Sequence, residues 1–181
     1  MKKAYNIIII SAALLSVALT SPGYCASKRN LYNKFCGQKQ VNVFVQDFVN
    51  ATGENKVDVK DLQQKLKDAL DARKSINFTV VNSKEEADIV ITCDVTKFQW
   101  LENDPVDMVY GVGPIAYDLL TDDNYAQLDT KFSVTDAKKN RLLWKDDVTV
   151  YITRKDMDEQ ASAPIVNEKC VKTFIRECFG K

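Results

Sequence analysis

Two segments of alternating residues, joined by a short turn, constrain the fold of this chain more than any other feature of its sequence. Between Tyr125 and Thr135 apolar and polar side chains alternate, and Arg141 to Thr153 repeats the pattern after the turn residues 136–140. A strand places successive side chains on opposite faces, so this alternation gives one apolar face. The sequence therefore predicts a β-hairpin that buries one face and leaves the other in water.

Three further strands are predicted before the hairpin. Val41 to Phe48, Phe78 to Val81 and Ile89 to Trp100 are rich in β-branched and aromatic residues and are bounded by polar or turn-forming residues. This composition is typical of β-strands. Together with the hairpin, these segments predict one mixed sheet of four to five strands.

Two amphipathic helices complete the predicted domain. Val59 to Arg73 carries apolar residues at helical spacing and follows Asp58, a residue type that caps helix N-termini. The second helix is predicted after the polar segment 154–163 and Pro164. Its apolar stripe is formed by Val171, Phe174, Ile175 and Cys178.

These elements follow the order β-α-β-β-β-β-α. Each helix has one apolar stripe and the alternating strands have one apolar face, so the economical packing places both helices on one face of the sheet. The predicted fold class is therefore an α/β (α+β) two-layer sandwich. We assign residues 41–181 to this single domain, with an insertion at residues 101–124.

The N-terminus has the three parts of a secretory signal peptide. Lys2 and Lys3 supply the positive region, the 13 residues from Ile7 to Leu19 are apolar apart from two serines, and residues 20–23 are small and turn-forming. Thirteen residues are too few for a transmembrane helix, which needs about 20. We expect residues 1–25 to be removed on export, residues 26–40 to form a polar lead-in arm, and the mature chain to contain no integral membrane helix.

The processing site has more than one interpretation. Cleavage after Cys25 leaves Cys25 and Gly23 at the −1 and −3 positions, where small side chains are required, and cleavage after Gly23 meets the same requirement. Alternatively, Cys25 is the lipidated first residue of a lipoprotein. Against this interpretation, bulky Tyr24 occupies the preceding position, where a lipidation motif has a small residue.

Export changes the interpretation of the cysteines, because disulfides persist in oxidising compartments. Cys36, Cys93, Cys170 and Cys178 remain after cleavage at residue 25. Cys170 and Cys178 lie in one predicted helix, about 12 Å apart along its axis, so they cannot pair with each other. Cys93 lies within an apolar strand and is expected to be a buried thiol. We therefore predict a disulfide from Cys36 to Cys170 or Cys178.

Composition excludes several classes of function. The chain contains no histidine, which excludes Ser-His-Asp and Cys-His nucleophiles and histidine-ligated zinc. Its 25 Lys and Arg residues are balanced by 25 Asp and Glu residues, so no cationic excess favours nucleic acid. We expect no catalytic residue, no cofactor and no metal site.

The insertion at residues 101–124 is the first candidate binding surface. It is too apolar for a solvated connector, and loops longer than about 12–15 residues are usually functional or disordered. One interpretation is that it folds back over the sheet edge. The other is that it contacts a partner protein or lipid through Met108, Tyr110, Ile115, Tyr117 and Leu119.

The hairpin turn is the second candidate. Lys138, Lys139 and Arg141 bring three cations to an exposed turn, where they are placed to meet a lipid phosphate or an acidic partner. The alternative is a solvated turn with no binding role.

Five segments carry a family resemblance when they are taken in order: Val41 to Thr52, Leu62 to Leu70, Phe78 to Val81, Glu86 to Ile91 and Asp136 to Trp144. In order and spacing they resemble the LPS-assembly lipoprotein family of the Gram-negative outer membrane, the LptE-like proteins. They are also similar to the N-terminal domain of the TolB-like periplasmic proteins and to the CsgG-like secretion lipoproteins. The resemblance covers most of residues 41–153. It implies a two-layer α/β envelope protein with a binding or assembly role and no catalysis.

These expectations combine into one functional hypothesis. The chain is a non-enzymatic exported protein, periplasmic or associated with the outer membrane, that binds or assembles an envelope protein or lipid and does not bind nucleic acid. The alternative is a soluble periplasmic protein-interaction module without a lipid ligand.

Overall fold

The computed structural model describes residues 30–53, 56–102, 124–155 and 157–180. Its elements in chain order are α1 (Tyr32–Phe35), β1 (Val41–Val45), β2 (Val49–Asn50), α2 (Val59–Asp71), β3 (Phe78–Val81), β4 (Ile89–Leu101), β5 (Asn124–Asp136), β6 (Arg141–Arg154) and α3 (Glu159–Phe179). The predicted α/β architecture is confirmed, because the strands form one mixed sheet with helices packed on it.

The sheet has the strand order β3-β1-β4-β5-β6. β1 runs parallel to β3 and β4, whereas β4, β5 and β6 are antiparallel neighbours. The strand predicted from Val41 to Phe48 is shorter than expected: β1 ends at Val45, and β2 pairs separately with β4. The described residues therefore contain six strands, one more than the largest number predicted.

One face of the sheet is apolar and supports α2 and α3. Along β5, Leu128, Phe132 and Val134 are fully buried on this face, whereas Gln127 and Lys131 lie on the opposite face and are at least partly exposed. The alternation that predicted the hairpin is thus the alternation between the helix-covered face and the open face.

α2 begins where its capping residue predicts. The Asp58 carboxylate accepts hydrogen bonds from the backbone N–H groups of Lys60 and Asp61 at 2.9 and 3.0 Å. These bonds satisfy two of the donors that a helix start leaves without an internal partner. The helix then buries Leu62, Leu66 and Leu70 completely against the sheet.

α3 begins earlier than the sequence predicts. It starts at Glu159, inside the segment expected to be a polar break, and Pro164 lies within the helix rather than before it. The start is fixed by Asp158, whose carboxylate accepts the backbone N–H of Ala161 at 2.6 Å. Pro164 has no N–H, so the helix loses one internal hydrogen bond at that point.

The predicted lead-in arm is partly incorporated into the domain. α1 lies within it, and the Leu31 N–H donates to the Cys178 carbonyl oxygen at 2.6 Å. Phe35 is buried with its ring 6.4 Å from that of Phe179. Leu31 and Phe35 are therefore part of the core, as the apolar positions of an otherwise polar segment.

None of the helices in the described ranges is long and apolar enough to cross a membrane.

Candidate functional site

The apolar insertion cannot be placed in this fold. Its predicted contact residues, Met108, Tyr110, Ile115, Tyr117 and Leu119, lie outside the described residues, and so does Cys25. The partner-binding role of the insertion and the lipidation of Cys25 stay predictions.

The hairpin turn displays its cations as predicted. The Asp136 carboxylate accepts the backbone N–H of Lys139 at 3.0 Å and holds the turn closed. Asn140 adopts the left-handed conformation with φ of 47°, which asparagine tolerates better than most residues. Lys138, Lys139 and Arg141 are all exposed.

One of these cations is already paired within the domain. Lys138 Nζ lies 2.8 Å from Asp88 Oδ1, and Asp88 Oδ2 accepts the backbone N–H of Asn42 at 3.0 Å. The hydrogen bond from Lys138 lowers the pKa of Asp88, and the bond to Asn42 lowers it further. Lys138 therefore helps to join the hairpin to the start of β4, whereas Lys139 and Arg141 make no ion pair with the described residues.

A fourth cation reaches the turn from α1. Burial lowers the pKa of the Lys34 ammonium; Asp136 raises it, and the neighbouring cations of Arg141 and Lys139 lower it. Lys34 therefore lies within electrostatic range of the hairpin charges. We call Lys34, Lys139 and Arg141 the cationic end. The sequence shows that residues 26–40 are basic but contains no signal for this proximity, because it arises from the packing of α1.

The cysteine arrangement differs from the prediction. Cys36, Cys93, Cys170 and Cys178 are all free thiols, so the bridge from Cys36 to Cys170 or Cys178 is not formed. The reason is the direction of the side chains: Cys36 is exposed beyond α1, whereas Cys170 and Cys178 are fully buried on the core face of α3. Burial raises the pKa of Cys170 to about 12, and it also raises the pKa values of Cys93 and Cys178. Cys93 is buried as predicted.

A second site, which the sequence did not reveal, lies between the N-terminal halves of α2 and α3. This pocket, the helix-end pocket, has a volume of about 750 Å³. Its lining combines polar side chains with short apolar ones: Asn50, Lys56, Val57, Asp58, Val59, Lys60, Asp61, Gln160, Ala163, Pro164 and Asn167.

Asn167 is the most unusual residue of the helix-end pocket, because it is a fully buried polar side chain. Its Nδ2 donates to the Asp58 carbonyl oxygen at 3.2 Å and to Asp61 Oδ2 at 2.9 Å, which fixes the orientation of the amide. Its Oδ1 is buried and has no hydrogen-bond partner. A signal for this residue existed: Asn167 lies four residues before Val171, on the predicted apolar stripe of the last helix.

Ion pairs border the helix-end pocket. Lys65 Nζ lies 2.7 Å from Asp61 Oδ1, and Lys56 Nζ lies 3.0 Å from Glu159 Oε1. Within the described residues, no three His, Cys, Asp or Glu side chains are placed to hold a metal ion.

Comparisons with known proteins find similar folds among solved structures. No protein-family model matches the chain, and no curated protein matches it significantly. Among solved structures, the chain is similar to a PelC dodecamer from Paraburkholderia phytofirmans, with a TM-score of 0.52 and 11% identity over 78% of this chain and 90% of that one.

Two further structures share the fold. The hypothetical protein CT253 from Chlamydia trachomatis has a TM-score of 0.52 and 9% identity, and the match covers 78% of this chain and 96% of that one. The DUF330 protein XCC0632 from Xanthomonas campestris has a TM-score of 0.53 and 12% identity over 82% and 91% of the two chains. At these identities the likeness shows a shared fold: a mixed sheet with helices packed on it, found in several bacterial proteins.

Proposed function

We propose that the protein is an exported, non-enzymatic binding or assembly factor of the cell envelope that contacts an anionic lipid surface through its cationic end. The N-terminal signal sequence supports export, and the absence of histidine from the whole sequence supports a role without imidazole chemistry. The resemblance to envelope lipoproteins supports the location at the periplasmic side of a membrane.

The observation that carries the lipid contact is the convergence of Lys34 with Lys139 and Arg141. The exposed side chains of Lys139 and Arg141 make no ion pair with the described residues, and Lys34 of α1 lies within electrostatic range of both. Lys34 lies in α1, the first element of the described residues and the one nearest in sequence to the predicted signal peptide. Lipid phosphates are the anions such a surface meets at a membrane, and LPS, implied by the LptE-like resemblance, carries the same group.

Co-sedimentation with lipid vesicles tests this proposal. The purified protein is mixed with vesicles of phosphatidylcholine alone, with vesicles that also contain phosphatidylglycerol, and with vesicles that also contain LPS. Each Lys or Arg near an anionic surface contributes about 1 kcal/mol, so loss of two cations weakens binding by about thirtyfold. We expect the double variant Lys139→Glu, Arg141→Glu to lose at least this much affinity for the anionic vesicles.

A matched double variant separates the effect of the cationic end on vesicle binding from the effect of the net charge. Lys97 and Lys155 are exposed at the opposite end of the sheet, so Lys97→Glu with Lys155→Glu changes the net charge equally without touching the cationic end. Equal losses of vesicle affinity in both double variants would show that only the net charge matters, which would contradict the proposal. No binding to any anionic vesicle would favour the alternative, a soluble protein-interaction module without a lipid ligand.

A further inference from the structure

The helix-end pocket contains a buried hydrogen-bond acceptor that the protein does not satisfy. Asn167 Oδ1 has no partner, although the other end of the same amide makes two hydrogen bonds. Buried polar groups are almost always paired, and an unpaired one costs free energy. Because Nδ2 is held by Asp58 and Asp61, the amide cannot rotate to relieve Oδ1 without losing both of those bonds. The unpaired acceptor therefore has a fixed orientation on a residue that lines the pocket.

A second acceptor lines the same pocket. Pro164 has no N–H, so the carbonyl oxygen of Gln160, one helical turn earlier, cannot receive its usual helical hydrogen bond. Both residues line the helix-end pocket together with Asn167. Two residues of the α3 wall, Gln160 and Asn167, thus each carry an oxygen that lacks a usual hydrogen bond, and a complementary ligand supplies a donor.

The charges around the pocket are balanced, which favours an uncharged donor. Asp61 is paired with Lys65, and Lys56 is paired with Glu159. The remaining lining charges are Asp58 and Lys60, which are of opposite sign. Asp58 also caps α2, where the positive end of the helix dipole opposes the binding of a cation.

The positions of Asn167 and Lys60 favour an amide over a hydroxyl as the uncharged donor of the ligand. Asn167 is fully buried and Lys60 is exposed, so the acceptor lies at the floor of the pocket and the ammonium at its rim. Lys60 makes no ion pair with a described residue. An amide carries its N–H and its carbonyl oxygen on opposite sides and can meet both groups, whereas a hydroxyl carries donor and acceptor on one atom.

We propose that the helix-end pocket binds a ligand that presents an uncharged amide N–H, such as a peptide unit, to Asn167 Oδ1. The carbonyl oxygen of this amide faces Lys60, and its flanking groups pack on the short apolar wall formed by Val57, Ala163 and Pro164. The volume of about 750 Å³ is within the range of small-ligand sites, about 300–1,000 Å³. This site is independent of the cationic end.

Two probes that differ in a single N–H test the proposal on the wild-type protein. N-methylacetamide mimics a peptide unit, and N,N-dimethylacetamide lacks the donor. Each is titrated while NMR follows the Asn167 side-chain amide and the backbone amides of Lys60 and Asp61. We expect saturable shifts with N-methylacetamide and an affinity at least about tenfold weaker for N,N-dimethylacetamide, because a hydrogen bond to a buried acceptor is lost.

Equal affinities for the two probes, or no saturable shift at Asn167, would overturn the proposal. The variant Asn167→Ala should abolish the difference between the probes, whereas Asn33→Ala, an exposed asparagine on α1, should leave it unchanged. If Asn167→Ala fails to fold, the probe pair on the wild-type protein still decides the question.

Discussion

The two ends of α3 are built on opposite principles. At its C-terminal end the helix is surrounded by aromatic rings and contributes to the centre of the core. At its N-terminal end it meets α2 through polar groups and leaves a pocket between the two helices. One helix therefore packs into the core at one end and borders a pocket at the other, and the boundary lies between Asn167 and Phe174.

Aromatic packing dominates the C-terminal end. The Phe174 ring stacks on Phe132 with centroids 4.2 Å apart and meets Trp144 edge-on at 5.5 Å. Phe179 contacts the ring of Phe78 at 4.9 Å. Phe132, Phe174 and Phe179 are fully buried, so this cluster joins α3 to both the parallel and the antiparallel part of the sheet.

The same end of α3 also has its terminal carbonyls satisfied. Arg73 Nη2 donates to the carbonyl oxygens of Phe179 and Gly180 at 3.1 and 2.9 Å. Gly180 has φ of +80°, and a Cβ at this position would lie 3.3 Å from Cβ of Tyr32. The end of the helix therefore needs glycine both for its backbone conformation and for the close approach of α1.

The N-terminal end instead contains the fully buried polar side chains of α3. Ser162 and Asn167 are fully buried there, and Asn167 Oδ1 lacks a partner. Pro164 removes a helical hydrogen bond in the same turns. The unpaired Asn167 Oδ1 and the missing helical hydrogen bond at Pro164 each cost stability, which indicates that this end is not optimised for packing alone.

We expect the largest loss of stability from a substitution in the aromatic cluster at the C-terminal end of α3. Phe174→Ala removes the ring at the centre of the aromatic cluster and should lower the free energy of unfolding by about 3–5 kcal/mol, because the cavity left cannot be refilled by its rigid neighbours. Urea denaturation measures the loss. Ile175→Ala, at the half-buried neighbouring position, is the control and should cost clearly less. Equal costs would show that the aromatic cluster is not the stabilising centre.

Replacement of Pro164, at the N-terminal end of α3, should have the opposite effect and raise the free energy of unfolding. Pro164→Ala restores the N–H that can donate to the Gln160 carbonyl oxygen and removes the ring from the helix interior. A proline inside a helix costs about 3 kcal/mol, and up to about 1 kcal/mol of the recovery is offset by the greater freedom of the unfolded chain, so we expect a net gain of about 2 kcal/mol in urea denaturation.

A glycine variant tests the reason for this gain. Pro164→Gly also restores the N–H but has a poor helix propensity, so its stability should lie about 1 kcal/mol below that of Pro164→Ala. A loss of stability in Pro164→Ala would contradict the comparison, since it would show that Pro164 stabilises the pocket end.

Local patterns predicted most of this fold. The alternation around Phe132 and Val134 identified the hairpin and its buried face, and Asp58 fixed the start of α2, because both signals depend only on neighbours in sequence. The start of α3 was predicted too late, since Pro164 is more typical of a first helical turn than of an interior position. Asp158, an equally ordinary capping residue, determined the real start.

The candidate sites were harder to predict from the sequence than the fold. Asn167 and Asp61 are separated by 106 positions, and Lys34 reaches the hairpin only because α1 packs beside it. Such contacts are properties of the tertiary structure. The three hairpin cations were identified correctly as exposed, but the sequence could not distinguish Lys138, which pairs with Asp88, from Lys139 and Arg141, which do not.

The smallest expected effect lies on the exposed face of α3, between its two ends. Lys172 pairs with Glu168 one turn earlier, and this hydrogen bond lowers the pKa of Glu168. A carboxylate whose pKa is lower in the folded state stabilises the protein above its unfolded-state pKa, and this contribution is lost as the pH falls through the folded-state pKa.

Lys172→Gln should therefore reduce stability slightly at neutral pH, by less than Pro164→Ala changes it, and the difference from the wild type should vanish at a pH below the pKa of Glu168. Solvent screens the pair, because both side chains are more than half exposed. Urea midpoints at the two pH values measure the change, and Lys172→Arg, which keeps the charge, is the control. A Lys172→Gln effect that persists or grows in acid would show that the side chain contributes to the packing of α3 and not only to the ion pair. The middle of the helix would then contribute to stability by packing, as its C-terminal end does.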